Sequence, residues 1–374
     1  MSLQISYKKQ TLFGIVLLFC IFSVVESGSR IYEFFLAECR LENAETLKEY
    51  DYFLKKQICY DHQLIEYNNV PVYSMKPNQH HSTININNHG FRGSDFDISN
   101  PNNEYRIVII GGSTVFGAGM ANDEQTFPHE LNNILDKHYE NVRVINAGIS
   151  SITSFEELYH IKEKIIPFNP NMIIVYDGAN DVYYKKTNEQ EILNVEDEKF
   201  GLNDLQSYLR SPVVLYRYFL FPIFNSERGI SENLYKDISI DYKSENFSDE
   251  QISNIVGSLW YERIQDFCKI SKNNDIPSIV IIQPTLDHGI KPLSNFEDSI
   301  YKKIPYVENT FEILEQKSKI LDECTLVSNF DNVFEDTNEG VYFDRVHLNN
   351  FGNKIIANQI FEKISPLLQN DLSK

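Results

Sequence analysis

The chain has 374 residues, enough for one large domain or two of modest size. Its hydrophobic fraction of 42% is sufficient for a packed core, so a chain that is disordered throughout is excluded. The 34 basic and 53 acidic residues give a net charge of −19, which repels phosphates and argues against nucleic acid as a partner. Five cysteines are too few for a scaffold built on disulfides.

The N-terminal segment indicates where the protein resides. Two lysines precede an apolar run from Leu12 to Val25. Extended to residues 11–28, the run approaches the length of a membrane span, although Val25 and Ser27 also form a tolerable cleavage pair for a signal peptide. We predict a single-pass membrane protein whose main domain is extracytoplasmic, or a secreted protein if the segment is cleaved.

Strands alternate with helices along most of the chain. This alternation predicts a parallel sheet with helices on both faces. In chain order, the predicted elements are a helix at 42–57, a strand at 106–110, a helix at 124–138, a strand at 142–145, a helix at 155–166, a strand at 172–176, a helix at 253–272, a strand at 278–282, and helices at 296–324 and 350–367.

The predicted domain organisation follows from these elements. Residues 1–30 form the signal anchor, residues 31–103 an extracytoplasmic lead-in segment, and residues 104–370 the main α/β domain. An acidic and then aromatic stretch at about 182–252 interrupts the alternation and is interpreted as an insertion. It would lie over the C-terminal edge of the sheet, where α/β proteins bind ligands, or form a surface excursion without a binding role.

The cysteines fit an exported protein without a metal centre. Cys39 and Cys59 could pair in an oxidising compartment, whereas Cys268 lies in an apolar helical pattern that is typical of the core. No cysteine spacing resembles a zinc or haem site. We therefore expect neither a metal nor a cofactor.

A glycine-rich turn after the first central strand contains the first candidate for catalysis. The turn Gly111-Gly112-Ser113 continues to Gly119 and leads into a helix. It lacks the Lys-Ser/Thr pair of a Walker A motif, the third glycine of a dinucleotide fingerprint, and the second glycine of a G-x-S-x-G nucleophile elbow. What remains is Ser113 at the tip of a strand, either as a nucleophile or as a helix cap.

Two later turns follow the next two strands and reach the same edge of the sheet. In Asn146-Ala147-Gly148, the backbone N–H of Gly148 can approach a substrate because no side chain is in the way. In the turn that ends at Asp181, the Asn180 amide is a neutral donor suited to a developing oxyanion. Taken alone, each residue is more typical of an ordinary turn, with Asn180 as the residue that forms an Asx-turn.

Near the C-terminus, Asp344-Arg345-Val346-His347 precedes the last helix. A carboxylate three residues before a histidine can orient the imidazole and stabilise its protonated form. The alternative is a loop histidine that caps the helix.

Together, Gly-Gly-Ser-Thr, Asn-Ala-Gly, Gly-Ala-Asn-Asp and Asp-Arg-Val-His resemble the motifs of the SGNH hydrolase (GDSL esterase/lipase) superfamily, in its membrane-attached branch. The resemblance covers about residues 104–367 and implies a flavodoxin-like three-layer α/β/α sandwich. It also implies a nucleophile at Ser113, a general base at His347 oriented by Asp344, and an oxyanion hole formed by Ser113, Gly148 and Asn180. Gly112 and Thr114 depart from the namesake motif, which has Asp and Leu there.

These residues predict ester chemistry that uses no cofactor. The leading expectation is a serine esterase that removes acyl, mainly acetyl, groups from an extracellular or envelope polysaccharide. A polysaccharide O-acetyltransferase would use the same triad, with a sugar hydroxyl in place of water. A third alternative is a non-catalytic carbohydrate-binding or assembly protein on the same fold. The expected partners are an acylated carbohydrate or another ester and the membrane, and the protein partners are unknown.

Overall fold

The computed structural model describes residues 6–36, 39–68, 72–184, 209–215 and 247–372. The chain forms two compact units, one of residues 1–38 with 197–241 and one of residues 39–196 with 242–374. Most of the predicted insertion lies outside the described residues, so its position over the sheet stays a prediction.

The larger unit contains nine strands and most of the helices of the described chain. The strands are β1 (Tyr67–Asn68), β2 (Ser74–Met75), β3 (Gln79–His80), β4 (Asn85–Ile86), β5 (Tyr105–Gly111), β6 (Val142–Asn146), β7 (Met172–Asp177), β8 (Ser278–Ile282) and β9 (Leu326–Asn329). Among the described residues of both units, the α-helices are α1 (Tyr7–Leu36), α2 (Tyr52–Leu64), α3 (Ser113–Phe116), α4 (Phe127–Leu135), α5 (Ser154–His160), α6 (Ala179–Tyr184), α7 (Ser211–Val214), α8 (Asp249–Asn273), α9 (Asn295–Ile300), α10 (Pro305–Ser318) and α11 (Asn350–Leu372).

Five strands form the central sheet in the order β6-β5-β7-β8-β9, and all neighbours are parallel. This is the flavodoxin-like order, in which the chain moves first to one side of β5 and then to the other. The crevice between β5 and β7 is therefore the switch point at which open α/β sheets place their ligands.

Helices cover both faces of this sheet. Because successive strand residues point to opposite faces, the apolar strands supply two separate cores. Val108 and Ile110 lie in one core with residues of α5, α8 and α10, while Ile107 and Ile109 lie in the other with residues of α4 and α11. The predicted three-layer α/β/α sandwich is confirmed.

Several predicted elements differ in their bounds. The helix predicted at 42–57 instead spans Tyr52–Leu64, because the Asp51 side chain caps its start by accepting a hydrogen bond from Leu54 N. The helix predicted at 296–324 is two helices, and Pro305 begins the second. Strand β9 was not predicted.

Two disulfides lie in the larger unit. Cys39 pairs with Cys59, as the sequence allowed. Cys268 is fully buried in the core on α8, as its apolar helical pattern predicted, and it is also bonded to Cys324, a pairing that the sequence analysis did not identify. The packing of α8 against α10 brings the segment after α10 close to Cys268, with a Cα–Cα distance of 4.7 Å.

The smaller unit is built around α1, a helix of 30 residues. Its stretch Tyr7–Phe35 is long and apolar enough to cross a membrane, as a signal sequence or an anchor. Near its end, Glu33 is fully buried in an ion pair with Arg210. Glu26 accepts hydrogen bonds from the backbone N–H groups of Arg210 and Ser211, at 2.8 and 2.9 Å, and so holds the start of α7 on α1.

Candidate active site

The candidate residues meet at the carboxyl edge of the sheet, on both sides of the switch point. Ser113 follows β5, Gly148 follows β6 and Asn180 follows β7. Since the carboxyl ends of parallel strands reach the same edge, three turns that are far apart in sequence lie next to one another. Asp344 and His347 reach this edge from the loop before α11.

Two glycines allow Ser113 to sit this close to its neighbours. A Cβ on Gly111 would overlap the carbonyl oxygen of Tyr176 on the adjacent strand. A Cβ on Gly112 would overlap the side-chain nitrogen of Asn180. The Gly-Gly pair thus lets the strand end pass directly beside β7 and lets the Asn180 amide lie against the residue before Ser113.

Ser113, His347 and Asp344 form a continuous chain of hydrogen bonds. The Oγ of Ser113 lies 2.7 Å from Nε2 of His347, and Nδ1 of His347 lies 2.7 Å from Oδ2 of Asp344. Because the carboxylate can only accept, Nδ1 carries a proton and Nε2 is left as the acceptor for the serine hydroxyl. This is the geometry that a nucleophile, a general base and an orienting carboxylate require.

The loop that carries Asp344 keeps its carboxylate ionised. Burial alone raises the pKa of Asp344. The attraction of the His347 imidazole when it is protonated, together with hydrogen bonds from the His347 side chain and backbone and from Val346 N, outweighs burial, so the pKa of Asp344 lies below its ordinary value. Phe343 stacks on the His347 ring with centroids 5.6 Å apart. The imidazole is therefore fixed by a carboxylate at one edge and a phenyl ring on one face.

Two of the three predicted oxyanion donors, Gly148 N and Asn180 Nδ2, are hydrogen-bonded to acceptors of the protein itself. Gly148 N donates to Asn146 Oδ1 at 3.0 Å, and Asn180 Nδ2 donates to Ile152 O at 2.6 Å. The Asn180 side-chain amide has a second N–H that can donate to an oxyanion. The single N–H of Gly148 must release Asn146 Oδ1, or donate to both acceptors at once, before it can bind an oxyanion. Ser113 is the first residue of α3, so its own N–H has no partner within that helix.

A buried polar network fixes the helix that carries Asn180. Asp181 accepts hydrogen bonds from the backbone N and the Oγ of Ser154, at 3.0 and 2.6 Å, and so ties α6 to the start of α5. Arg263 of α8 pairs with Asp181, and Trp260 donates its indole N–H to Asp177.

Burial, reinforced by neighbouring carboxylates, raises the pKa of both Asp177 and Glu157 well above the ordinary values.

Sequence reasoning did not assign three residues near the site. Arg345 lies within the Asp-Arg-Val-His motif and forms an ion pair with the buried Asp287. Thr46 and His62 come from the lead-in segment and contact the loops of His347 and Gly148. Arg345 could have been predicted from the sequence because it lies within the motif. Thr46 and His62 lie in no motif and no periodic pattern, so the sequence does not indicate their contacts.

Comparisons with known proteins detect similarity only at the level of structure. No family model matches the chain, and no curated protein matches it. An acetyl xylan esterase, AlAXEase, has 12% identity and a TM-score of 0.41, covering 69% of this chain and 99% of its own. A GDSL-like lipase from Bacteroides thetaiotaomicron has 13% identity and a TM-score of 0.37, covering 71% and 90%.

A third solved structure, a variant of an acetyl xylan esterase from Geobacillus stearothermophilus, has 16% identity and a TM-score of 0.38, covering 70% of this chain and 94% of its own. Two of these structures are thus described as acetyl xylan esterases and one as a GDSL-like lipase, and the likeness to this chain concerns the fold alone. The function proposed below rests on the geometry of this chain's own residues.

Proposed function

We propose that the protein is a serine esterase that hydrolyses acyl esters. The observation that supports this proposal is the pair of 2.7 Å contacts that joins Ser113 Oγ, both ring nitrogens of His347 and Asp344. A serine that merely capped α3 would not need an imidazole whose other nitrogen is held by a carboxylate.

The proposed reaction proceeds in two steps on Ser113. His347 Nε2 takes the hydroxyl proton as Ser113 Oγ attacks the ester carbonyl, and the oxyanion accepts hydrogen bonds from Ser113 N, Gly148 N and Asn180 Nδ2. The tetrahedral intermediate collapses, and the leaving alcohol takes the proton from His347. Water, deprotonated by His347, then attacks the acyl-enzyme and releases the acid and free Ser113.

We further propose that the substrate is an O-acetylated polysaccharide outside the cytoplasm. The apolar helix α1 and the two disulfides fit a protein that acts in an oxidising compartment. The Gly-Gly-Ser form of the nucleophile motif resembles the form found in exported, polysaccharide-associated members of the resembled superfamily. In this proposal α1 is an uncleaved anchor and the larger unit is extracytoplasmic.

The proposal is tested with the full chain in detergent, assayed on p-nitrophenyl acetate and labelled with a fluorophosphonate serine probe. We expect Ser113→Ala to abolish labelling and to lower kcat by on the order of 10⁴-fold or more. Ser99→Ala, which changes an exposed loop serine, is the matched control and should behave as the parent chain.

The outcomes separate the candidate functions. Labelling and turnover that both vanish in Ser113→Ala support the esterase. Labelling at Ser113 with turnover that requires an added sugar acceptor indicates an acyltransferase instead. A folded parent chain that is neither labelled nor active contradicts the catalytic proposal.

A further inference from the structure

The segment between α1 and the sheet contacts both halves of the candidate active site. This segment, residues 39–64, comprises a short turn that contains Thr46, the disulfide Cys39–Cys59 and helix α2. Its sequence contains none of the motif residues. Its contacts nevertheless reach the loop of His347 on one side and the loop of Gly148 on the other.

The first contact is made at the base of the His347 loop. Residues 341–349 form a closed turn in which Tyr342 pairs with Leu348 and Asn349 N donates to Val341 O. Thr46 joins the two sides of that turn. Its Oγ1 donates to Tyr342 O at 3.0 Å, and its carbonyl accepts from the Asn349 side chain at 3.0 Å.

Apolar packing reinforces this contact. Phe343, whose ring stacks on His347, is buried, and it belongs to the same core cluster as residues of the segment. The members of this cluster are Cys39, Leu41, Ala44, Leu47, Tyr50, Ile58, Met120 and Phe343. The disulfide closes the part of the chain from which most of them come. The segment thus supports the ring that lies against the catalytic imidazole.

The second contact is made with the loop of the oxyanion donors. His62 Nε2 lies 3.1 Å from the Oγ of Ser150, two residues after Gly148. In the same loop Ser151 has a φ of 71°, a conformation that L-residues adopt only under constraint. Ile152 O holds the Asn180 amide. Asp61, next to His62, accepts two hydrogen bonds from Thr83 and so fixes the end of α2.

We infer that residues 39–64 position the catalytic machinery, with Thr46 holding the loop of Asp344 and His347 and His62 holding the loop of Gly148. This inference rests on the proposed function for its catalytic meaning. Neither residue touches the reacting atoms, so both are positioning residues. The chain that immediately follows the apolar helix is therefore part of the active site rather than a spacer.

The test uses the full chain in detergent and two pairs of variants. Thr46→Val removes the hydroxyl at nearly constant volume, and Thr46→Ser keeps it. His62→Leu removes the hydrogen bond to Ser150, and His62→Gln keeps a polar group of similar reach. Each variant is examined by hydrogen exchange with mass spectrometry, by the rate of fluorophosphonate labelling at Ser113, and by its melting temperature.

We expect Thr46→Val to speed exchange in 341–349 but not in 147–153, and His62→Leu to do the reverse. Each should slow Ser113 labelling roughly tenfold, the effect of one lost hydrogen bond, while the melting temperature changes little. Thr46→Ser and His62→Gln should recover most of the labelling rate.

Two results would overturn the inference: exchange in both loops that matches the parent chain, or exchange that rises throughout the unit with a large fall in melting temperature. The second result would mean that the segment only stabilises the fold. A parent chain that is not labelled at all contradicts the proposed function instead, and the loop-specific exchange still decides whether the segment positions these loops.

Discussion

At the scale of single residues, the most informative position is the glycine before the proposed nucleophile. Gly112 stands where the namesake motif of the resembled superfamily has aspartate. The structure gives a reason for glycine, because any Cβ here would overlap the Asn180 amide. The Asn180 side chain also donates a hydrogen bond to Ile152 O, so it cannot move away from residue 112 without breaking that bond. Gly112 therefore lies directly against one of the proposed oxyanion donors.

We predict that Gly112→Ala displaces the Asn180 amide and costs about as much as Asn180→Ala. Loss of one oxyanion donor lowers kcat by roughly 10²- to 10³-fold. The measurement is kcat on p-nitrophenyl acetate, with circular dichroism to show that the fold is retained.

The double variant provides the control for this prediction. In the Asn180→Ala background there is no side-chain amide for the methyl group of residue 112 to displace. The kcat of the double variant Gly112→Ala with Asn180→Ala should therefore be no lower than that of either single variant. Additive losses would show that Gly112 acts through another contact.

At the scale of elements, the disulfide Cys268–Cys324 joins the long helix α8 to the segment before β9. It closes a loop of 56 residues that contains β8, α9 and α10. Helix α8 also carries Trp260 and Arg263, which bind the acidic residues beneath Asn180. The disulfide thus constrains an element that supports the site.

We predict that the variant with both Cys268→Ala and Cys324→Ala is less stable by about 4 kcal/mol, the chain-entropy value for a loop of this length. The shorter loop of Cys39–Cys59 makes its removal a useful comparison, with an expected cost of about 3 kcal/mol. Denaturant unfolding measures both. Alkylation of Cys268 or Cys324 in the unreduced, unfolded parent chain would contradict the premise.

The strands were predictable where apolar runs are long. Strand β8 has the predicted bounds, β5 is one residue longer at each end, and β6 and β7 are one residue longer at the C-terminal end. Strand β9 has only four residues and ends in Ser-Asn, so its hydrophobic signal is too short to recognise. The prediction of a single helix at 296–324 was wrong because the helical spacing of apolar residues continues through residues 301–304, where the backbone is not helical.

The residues of the candidate site that lie within sequence motifs could be predicted from the sequence. Ser113, Asp344 and His347 lie in recognisable patterns, and the structure brings them within hydrogen-bond distance. The partners of Thr46 and His62 lie 296 and 88 residues away along the chain. Their roles depend on tertiary contacts between side chains and loops, for which the sequence has no periodic or motif signal.

At the scale of the whole molecule, buried ionisable groups make stability depend on pH in both directions. Burial lowers the pKa of His160, whose Nε2 lies 2.8 Å from Tyr73 O, to about 4. Burial also lowers the pKa of His62 to about 4, with the nearby charges of Arg92 and His347 adding to the effect. Glu157, whose pKa is raised, acts in the opposite sense, because its folded form keeps a proton that the unfolded chain releases as the pH rises.

We predict that His160→Gln makes the protein less sensitive to acid. Above pH 6.5 His160 is neutral in the folded and unfolded chain and contributes nothing to this dependence. As the pH falls from 6.5 towards 4, only the unfolded chain takes up the proton, so the folded state loses about 2 to 3 kcal/mol by pH 4.5. Unfolding free energies of both proteins at pH 7.5 and pH 4.5 measure the difference. Equal losses in the two proteins would show that His160 protonates freely in the folded state.

The contacts of α1 also set an order of events during synthesis. Glu33 pairs with Arg210, which is translated 177 residues later. At about 5 to 20 residues per second, the carboxylate waits roughly 9 to 35 s for its partner to be synthesised. In the proposed membrane anchor, an unpaired carboxylate resists entry into hydrocarbon, so we expect the end of α1 that carries Glu33 to stay at the membrane surface while the rest of the chain is being made. The ion pair can form only after Arg210 has been synthesised, so it records the completion of the chain at least as far as that residue.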